Sequence, residues 1–259
     1  MKKILLISYY WPPNAGVGAR RWLNFQKHLS KNFSITVYTA DNPNILNEDK
    51  TLLDSISSET NVLKYKIWEP YSLYKKFTKK KRVNPGILID KTNGLKEKFT
   101  NWVRANFFIP DAKCCWIEQS VSNLSKLFLK ENFDLVISTG PPHSMHLIAL
   151  NLREKYNFKW IADFRDPWTN MEYFSKLPLL NDSRKQHFHL QEKVISKADL
   201  TLTVSDFWAN ELSQLGARKT EVVYNGFKKN TSAITHNKFR VGHFGLLNEL
   251  RDHSEIWKA

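Results

Sequence analysis

Lys2-Lys3-Ile4-Leu5-Leu6-Ile7-Ser8 runs into Tyr9-Tyr10-Trp11-Pro12-Pro13-Asn14-Ala15-Gly16-Val17-Gly18 and then into Ala19-Arg20-Arg21-Trp22. The first block is a short apolar run stopped by turn residues, the pattern of a strand buried on both faces. The prolines and glycines of the second block make a loop. From Ala19 to Ser30 the apolar residues Trp22, Phe25 and Leu29 fall on one face of a helix. Ser34 to Thr39 and Val62 to Ile67 follow as second and third strands. Strand, helix, strand in this order predicts a right-handed parallel unit and an α/β, Rossmann-like sheet flanked by helices.

The same alternation resumes further on. Helices are expected over Trp116–Lys130, Ser144–Tyr156, Ser183–Lys197 and Phe207–Leu215, the last closed by Gly216. Strands are expected over Leu135–Ser138, Trp160–Phe164, Leu200–Val204 and Glu221–Tyr224. The polar stretch Lys228 to Asn237 reads as a linker, and Phe239 to Phe244 as a new strand. The domain reading is therefore 1–228 as one Rossmann-like domain, 229–238 as linker, and 239–259 as the start of a second domain.

Between the two halves the segment from Glu69 to Pro110 breaks the rhythm. It carries Lys75, Lys76 and the run Lys79 to Arg82, then an expected helix from Leu88 to Asn106. On that helix Leu95, Phe99, Trp102 and Val103 share a face, with Lys96, Lys98 and Arg104 elsewhere around it. Such a basic amphipathic helix either lies on an anionic membrane surface or packs on the core with a solvated basic face.

A chain of 259 residues with 42% apolar and 25% charged residues buries a sizeable core, which excludes a wholly disordered protein. The two cysteines, Cys114 and Cys115, are adjacent, a spacing that disfavours a bridge and suits a reducing, cytoplasmic setting. The run Ile4 to Ile7 is too short for a membrane span or a secretory leader. The net charge of +14 favours a polyanionic partner: nucleic acid, anionic lipid or a phosphorylated substrate.

In open α/β sheets the ligand site lies beyond the carboxyl ends of the strands, so the residues expected there are the candidates. After the first strand, Gly16 and Gly18 at a helix start let backbone amides approach an anion, with Arg20 and Arg21 beside them. As a dinucleotide fingerprint this loop is defective, because Arg21 occupies the third glycine position. After the fourth strand comes Thr139-Gly140-Pro141-Pro142-His143-Ser144, which places His143 at the crevice mouth as an acid/base or polar contact. His146 follows, without the ligand spacing of a metal site. After the fifth strand, Asp163-Phe164-Arg165-Asp166-Pro167-Trp168 sets two carboxylates around an arginine. Such a cluster is either a hydroxyl-binding or basic site or a salt-bridge network that holds the loop.

Together, in order, Tyr9-Tyr10-Trp11-Pro12-Pro13, Gly16-x-Gly18-x-x-Arg21, Ile109-Pro110-Asp111-x4-Trp116, Thr139 to Ser144, Asp163 to Trp168, Val204-Ser205 and Tyr224-Asn225-Gly226-Phe227 resemble bacterial family four glycosyltransferases. The resemblance covers nearly the whole chain. It implies the N-terminal half of a GT-B fold, a nucleotide-sugar donor, transfer with retention, and neither a metal nor a further cofactor. It implies His143 and Asp163 as catalytic-site residues and Gly16, Gly18, Arg20, Arg165, Asp166, Trp168 and Asn225 as substrate-binding. Arg251, in Gly245-x5-Arg251, is similar to the arginine that contacts the donor diphosphate, although Asp252 departs from the lysine often found next. The family's paired glutamates and nucleoside-binding loops lie beyond Ala259, so this chain is expected to be inactive alone. The expected role is transfer to a lipid-linked or glycan acceptor in cell-surface glycan synthesis, on the inner membrane face. Two alternatives are a Rossmann-type oxidoreductase, with Asp41 on the ribose, and a basic nucleic-acid-binding module. Arg21 argues against the first, and the lack of a recognised nucleic-acid motif against the second.

Overall fold

The computed structural model describes residues 1–41, 43, 47–67, 94–171, 174–226, 240, 242 and 255. The chain divides into two units, Met1–Gly226 and Phe227–Ala259. Of the second, only Arg240, Gly242 and Glu255 are described, all exposed. The expected strand from Phe239 and the loop with Arg251 otherwise lie outside the described residues, as do the lysine run Lys75 to Arg82 and the linker.

The first unit is a seven-stranded sheet, parallel throughout, in the order β3-β2-β1-β4-β5-β6-β7. The strands are β1 (Lys2–Ile7), β2 (Phe33–Ala40), β3 (Asn61–Tyr65), β4 (Leu135–Gly140), β5 (Lys159–Phe164), β6 (Leu200–Thr203) and β7 (Thr220–Val222). The helices are α1 (Val17–Leu29), α2 (Leu95–Phe107), α3 (Ile117–Phe128), α4 (Ser144–Arg153), α5 (Asn181–Lys197) and α6 (Asp206–Gln214). The expected α/β Rossmann-like class is the observed one.

Successive side chains of a strand point to opposite faces, and both faces here are covered. Ile4, Leu6, Ile35, Val37 and Ile137 pack with Trp22 and Leu23 of α1 on one face. Leu5, Ile7, Tyr38, Val136, Trp160 and Phe164 pack with α3, α4 and α5 on the other, through Leu124, Ile148 and Val194. Two-sided burial is why β1 reads as an unbroken apolar run and not as an alternating one. The chain order reverses between β1 and β4, so the carboxyl ends of these two strands flank the switch point where a crevice opens.

The ends of elements differ from the sequence expectation for local reasons. Helix α3 starts at Ile117 because a tight turn, Cys114–Trp116, swings Trp116 into the core, where it stacks on Tyr38 at 5.3 Å. Cys114 and Cys115, in that turn, are free thiols. Helix α6 ends as expected: Gly216 has φ +90°, its N–H donates to Ser213 O, and Ala217 N donates to Leu212 O.

Helix α2 bears on both options held open above. Its C-terminal turn is pinned: Asn106 donates to Pro178 O and accepts from Leu180 N. Toward its start Leu95 is 85% and Phe99 65% exposed, and its last residue, Phe107, is 67% exposed, while Ala105 and Asn106 are buried. Residues 88–93 of the expected helix fall outside the described residues. Among the described residues no helix is long and apolar enough to cross a membrane.

Candidate functional site

The first turns of α1, the carboxyl ends of β4 and β5 and the loop after β7 meet around a buried ion pair. Asp163, the fifth residue of β5, has a side chain with no exposed surface. Arg21 donates to it through Nε, at 3.1 and 3.3 Å, and through Nη2, at 3.0 Å. Trp22 Nε1 donates to Oδ2 at 2.7 Å and Thr139 Oγ1 at 2.8 Å. Arg21 spends its remaining Nη1 donor on Val223 O and Asn225 Oδ1, at 2.8 and 2.9 Å. One network thus ties α1 to β4, β5 and the loop after β7. Both oxygens of Asp163 are occupied, and this carboxylate holds the crevice floor together.

Above that floor sits Arg165. Its guanidinium donates to Thr139 Oγ1 at 3.3 Å and to the Pro141 carbonyl, and it pairs with Asp166 at 3.8 Å. Burial lowers its pKa from the ordinary arginine value, and the carboxylates of Asp166 and Asp163 oppose that shift. The guanidinium lies directly over the first turn of α1: a Cβ added to Gly18 would come within 2.7 Å of it. Gly18 is therefore glycine for close approach, and the amides at the N-terminus of α1 and a buried cation share one spot. That combination is a ready anion-binding geometry.

His143 closes the other side. It stacks face to face on Trp168 at 4.8 Å with planes 5° apart, and Trp168 Nε1 donates to His187 Nδ1 at 3.1 Å. Burial pushes the His143 pKa well below its usual value, helped by His146 and Arg165. His146 is driven to about 3 by burial and Arg165, and His187 to about 4 by burial and Arg184. Helix α4, which carries His146 and follows directly on His143, is capped from a distance. Asp111 accepts from Ser144 N at 3.0 Å and from Ser144 Oγ at 2.8 Å. A carboxylate there satisfies an orphan amide and complements the helix dipole.

Residues 85–230, which hold Asp111, His143, Asp163 to Trp168 and Asn225, match the family model for Glycosyltransferase Family 4. The chain belongs to Glycosyltransferase Family 4. The match covers more than half of its length. None of the curated proteins searched matches it significantly. Solved structures similar to it include sucrose-phosphate synthase from Thermosynechococcus elongatus, at 12% identity and TM-score 0.49 over 86% of this chain and 48% of that one. Phytolacca americana UGT2, complexed with UDP-2fluoro-glucose and pterostilbene, is similar at 13% identity and TM-score 0.45, over 90% of this chain and 55% of that one. The Streptomyces sp. SF2575 glycosyltransferase SsfS6 is similar at 12% identity and TM-score 0.44, over 90% and 58%. The chain spans about half the length of these three structures.

In this family four chain, the crevice brings together Gly16, Gly18, His143, Asp163, Arg165, Asp166, Trp168 and Asn225. Arg20 stands apart: it donates to Ala15 O and pairs with Asp49 at 3.3 Å, with half its side chain exposed. Arg251 lies outside the described residues. Sequence reading missed the partners of Asp163. Arg21, read beside the glycines as an anion contact, is buried and paired with Asp163 instead. It also left Asp111 as a bare motif residue, where the fold makes it the cap of α4. Among the described residues no three His, Cys, Asp or Glu side chains cluster to hold a metal.

Proposed function

We propose that this family four chain is the acceptor-side domain of a glycosyltransferase, which moves a sugar from a nucleotide-sugar donor to a lipid-linked or glycan acceptor with retention at the anomeric carbon. One observation carries the reading: the buried Arg165 guanidinium over the Gly16–Gly18 start of α1, at the switch point of the sheet. In this reading Arg165 and the α1 amides face a phosphate of the donor or acceptor. Trp168 and His143 form the wall that the acceptor meets, and Asp163 keeps that wall in place without touching substrate. Transfer proceeds without a resident metal or cofactor, and nucleic acid is not a ligand. The test is titration of a soluble acceptor analogue, a sugar 1-diphosphate bearing a short isoprenoid chain, followed by tryptophan fluorescence. Saturable binding is expected with a Kd of order 1 mM or tighter, weakened about tenfold or more in Arg165→Ala. No binding by the unaltered chain would overturn the acceptor reading.

The enzyme is further proposed to work on the anionic inner face of a membrane. The supporting observation is α2, where Leu95, Phe99 and Phe107 are exposed and Trp102 lies 6.1 and 5.8 Å from the two phenylalanine rings. An exposed aromatic face on a chain of net charge +14 suits insertion below anionic headgroups. Co-sedimentation with vesicles containing an anionic phospholipid is expected to show salt-sensitive binding. A Phe99→Ser/Phe107→Ser double variant should weaken it at least about tenfold, since each ring contributes on the order of 1–2 kcal/mol when buried. Equal binding to neutral and anionic vesicles, or none, would sink the membrane reading.

A further inference from the structure

Helix α5 turns a polar face inward. Ser183, His187 and Gln191 recur at every fourth residue and are all buried, ahead of the apolar Val194 and Ile195 that seat the helix in the core. A helix face that packs inward is ordinarily apolar, and a buried polar side chain is costly unless it is bonded. Two of the three bond to consecutive residues of the loop after β5. His187 Nδ1 accepts from Trp168 Nε1 at 3.1 Å, and Gln191 Oε1 accepts from the Thr169 N–H at 3.0 Å. Trp168 and Thr169 are buried as well.

The first of these bonds has one sense only. An indole N–H donates and cannot accept, so a lone pair on Nδ1 of His187 faces Trp168 and the proton of the neutral ring is on Nε2. The bond also selects one of the two ways a flat indole can lie, since turning the ring over carries Nε1 away from α5. The bond from Thr169 fixes the backbone next to that ring. What rests on this loop is His143. Its ring lies on the face of Trp168 at 4.8 Å with planes 5° apart, and it is hydrogen-bonded to the backbone of Pro167, the residue before Trp168. Phe164 stands at 5.9 Å from the same ring.

We propose that His187 and Gln191 are positioning residues for the crevice wall: bonded to Trp168 and Thr169, they fix the indole and the backbone on which the His143 ring is laid. Neither touches substrate. They act from one helix, a turn apart, on a loop that also carries Arg165 and Asp166. The clamp stands on the bonds just described. Its use in acceptor binding rests on the glycosyltransferase reading above.

The experiment compares the chain as it is with His187→Phe, His187→Asn and Gln191→Met. The phenyl ring can keep the edge contact with Phe174, which stands at 5.2 Å, but offers no acceptor. Asparagine carries an amide oxygen two bonds from Cβ, as Nδ1 is, and so restores one. Nuclear magnetic resonance at pH 7 reads the Trp168 indole N–H, assigned by its loss in Trp168→Phe, and the His143 ring C–H signals. Those C–H signals are expected upfield in the unaltered chain, because they lie over the indole face. His187→Phe should move them back towards ordinary positions, His187→Asn should leave them nearly unchanged, and unchanged signals from the exposed His28 report an intact fold. Gln191→Met should move them in the same sense, and it carries the test where His187→Phe does not fold. Calorimetric titration with the isoprenoid sugar 1-diphosphate should show affinity weakened about threefold to tenfold in His187→Phe and restored in His187→Asn. His143 signals indifferent to both His187→Phe and Gln191→Met, or an asparagine variant as impaired as the phenylalanine one, overturns the proposal. If the unaltered chain binds no acceptor analogue while the His143 signals respond as expected, the functional reading fails and the clamp stands.

Discussion

Replacing Asp163 by alanine is expected to destabilise the fold by about 3–5 kcal/mol, enough to unfold much of the chain at 37 °C. The reason is asymmetry. Asp163 and Arg21 have no side-chain exposure, and removing the carboxylate leaves a buried guanidinium whose desolvation nothing offsets. Trp22 Nε1 and Thr139 Oγ1 lose their acceptor in the same step. Asp163→Asn keeps the shape and some acceptors, and should cost less than alanine. Replacing both partners by apolar residues, Arg21→Met with Asp163→Leu, should cost less than the sum of the single changes, because no lone charge remains. Urea unfolding of these three variants, and of Arg21→Met and Asp163→Leu alone, measures this. A general base at this position would behave differently: its alanine variant would stay folded and lose only turnover. A loss of stability under 1 kcal/mol for Asp163→Ala would return the residue to the list of catalytic candidates.

Stability is expected to fall steeply between pH 6.5 and pH 5, before ordinary carboxylates protonate. Three buried histidines drive this. Burial first, and next Arg165 for His146, Arg184 for His187 and His146 for His143, hold His146 at about 3, His187 at about 4, and His143 well below its usual value. A histidine whose pKa is lower folded than unfolded binds its proton only in the unfolded chain across that window. Its contribution is fully present above about pH 6.5 and is lost as the pH falls towards its folded pKa. Each group removes up to about 1.4 kcal/mol per pH unit, so the three together remove up to about 5 kcal/mol by pH 5. The lowered carboxylates, Asp199 and Asp49, act in the same sense but only below about pH 4. Urea midpoints at pH 7, 6 and 5 should drop progressively, with unfolding at pH 5 taking up close to three protons. His187→Gln should flatten the slope by about a third. A stability constant from pH 7 to 5 would mean that these rings are solvated or charged in the folded chain.

Both predictions turn on the same distinction, which the sequence could not make. Charged and titratable residues at the strand ends marked where the buried network lies, since the crevice of an open parallel sheet forms at those ends. Which of them faces the ligand depends on neighbours far along the chain. Arg20 and Arg21 are adjacent in sequence but about 100° apart around α1. One pairs with Asp49 at the surface, while the other crosses under the crevice to Asp163, 142 residues away. Asp163 and Asp166 bracket Arg165, yet one is the buried anchor of the floor and the other is half exposed at its rim.

The sequence by itself determined the alternation of strands and helices, the two-sided burial of β1, the stop at Gly216 and the location of the crevice. All of these rest on periodicity and on local backbone preference, which act within a few residues. Tertiary structure alone decided that Asp163 is an anchor, that Asp111 caps α4 from 33 residues away, and that Gly140 draws two imidazoles together. It also decided that the front of α2 stays uncovered. Those outcomes depend on which surfaces meet when the sheet assembles, and on the low dielectric they create once water is excluded.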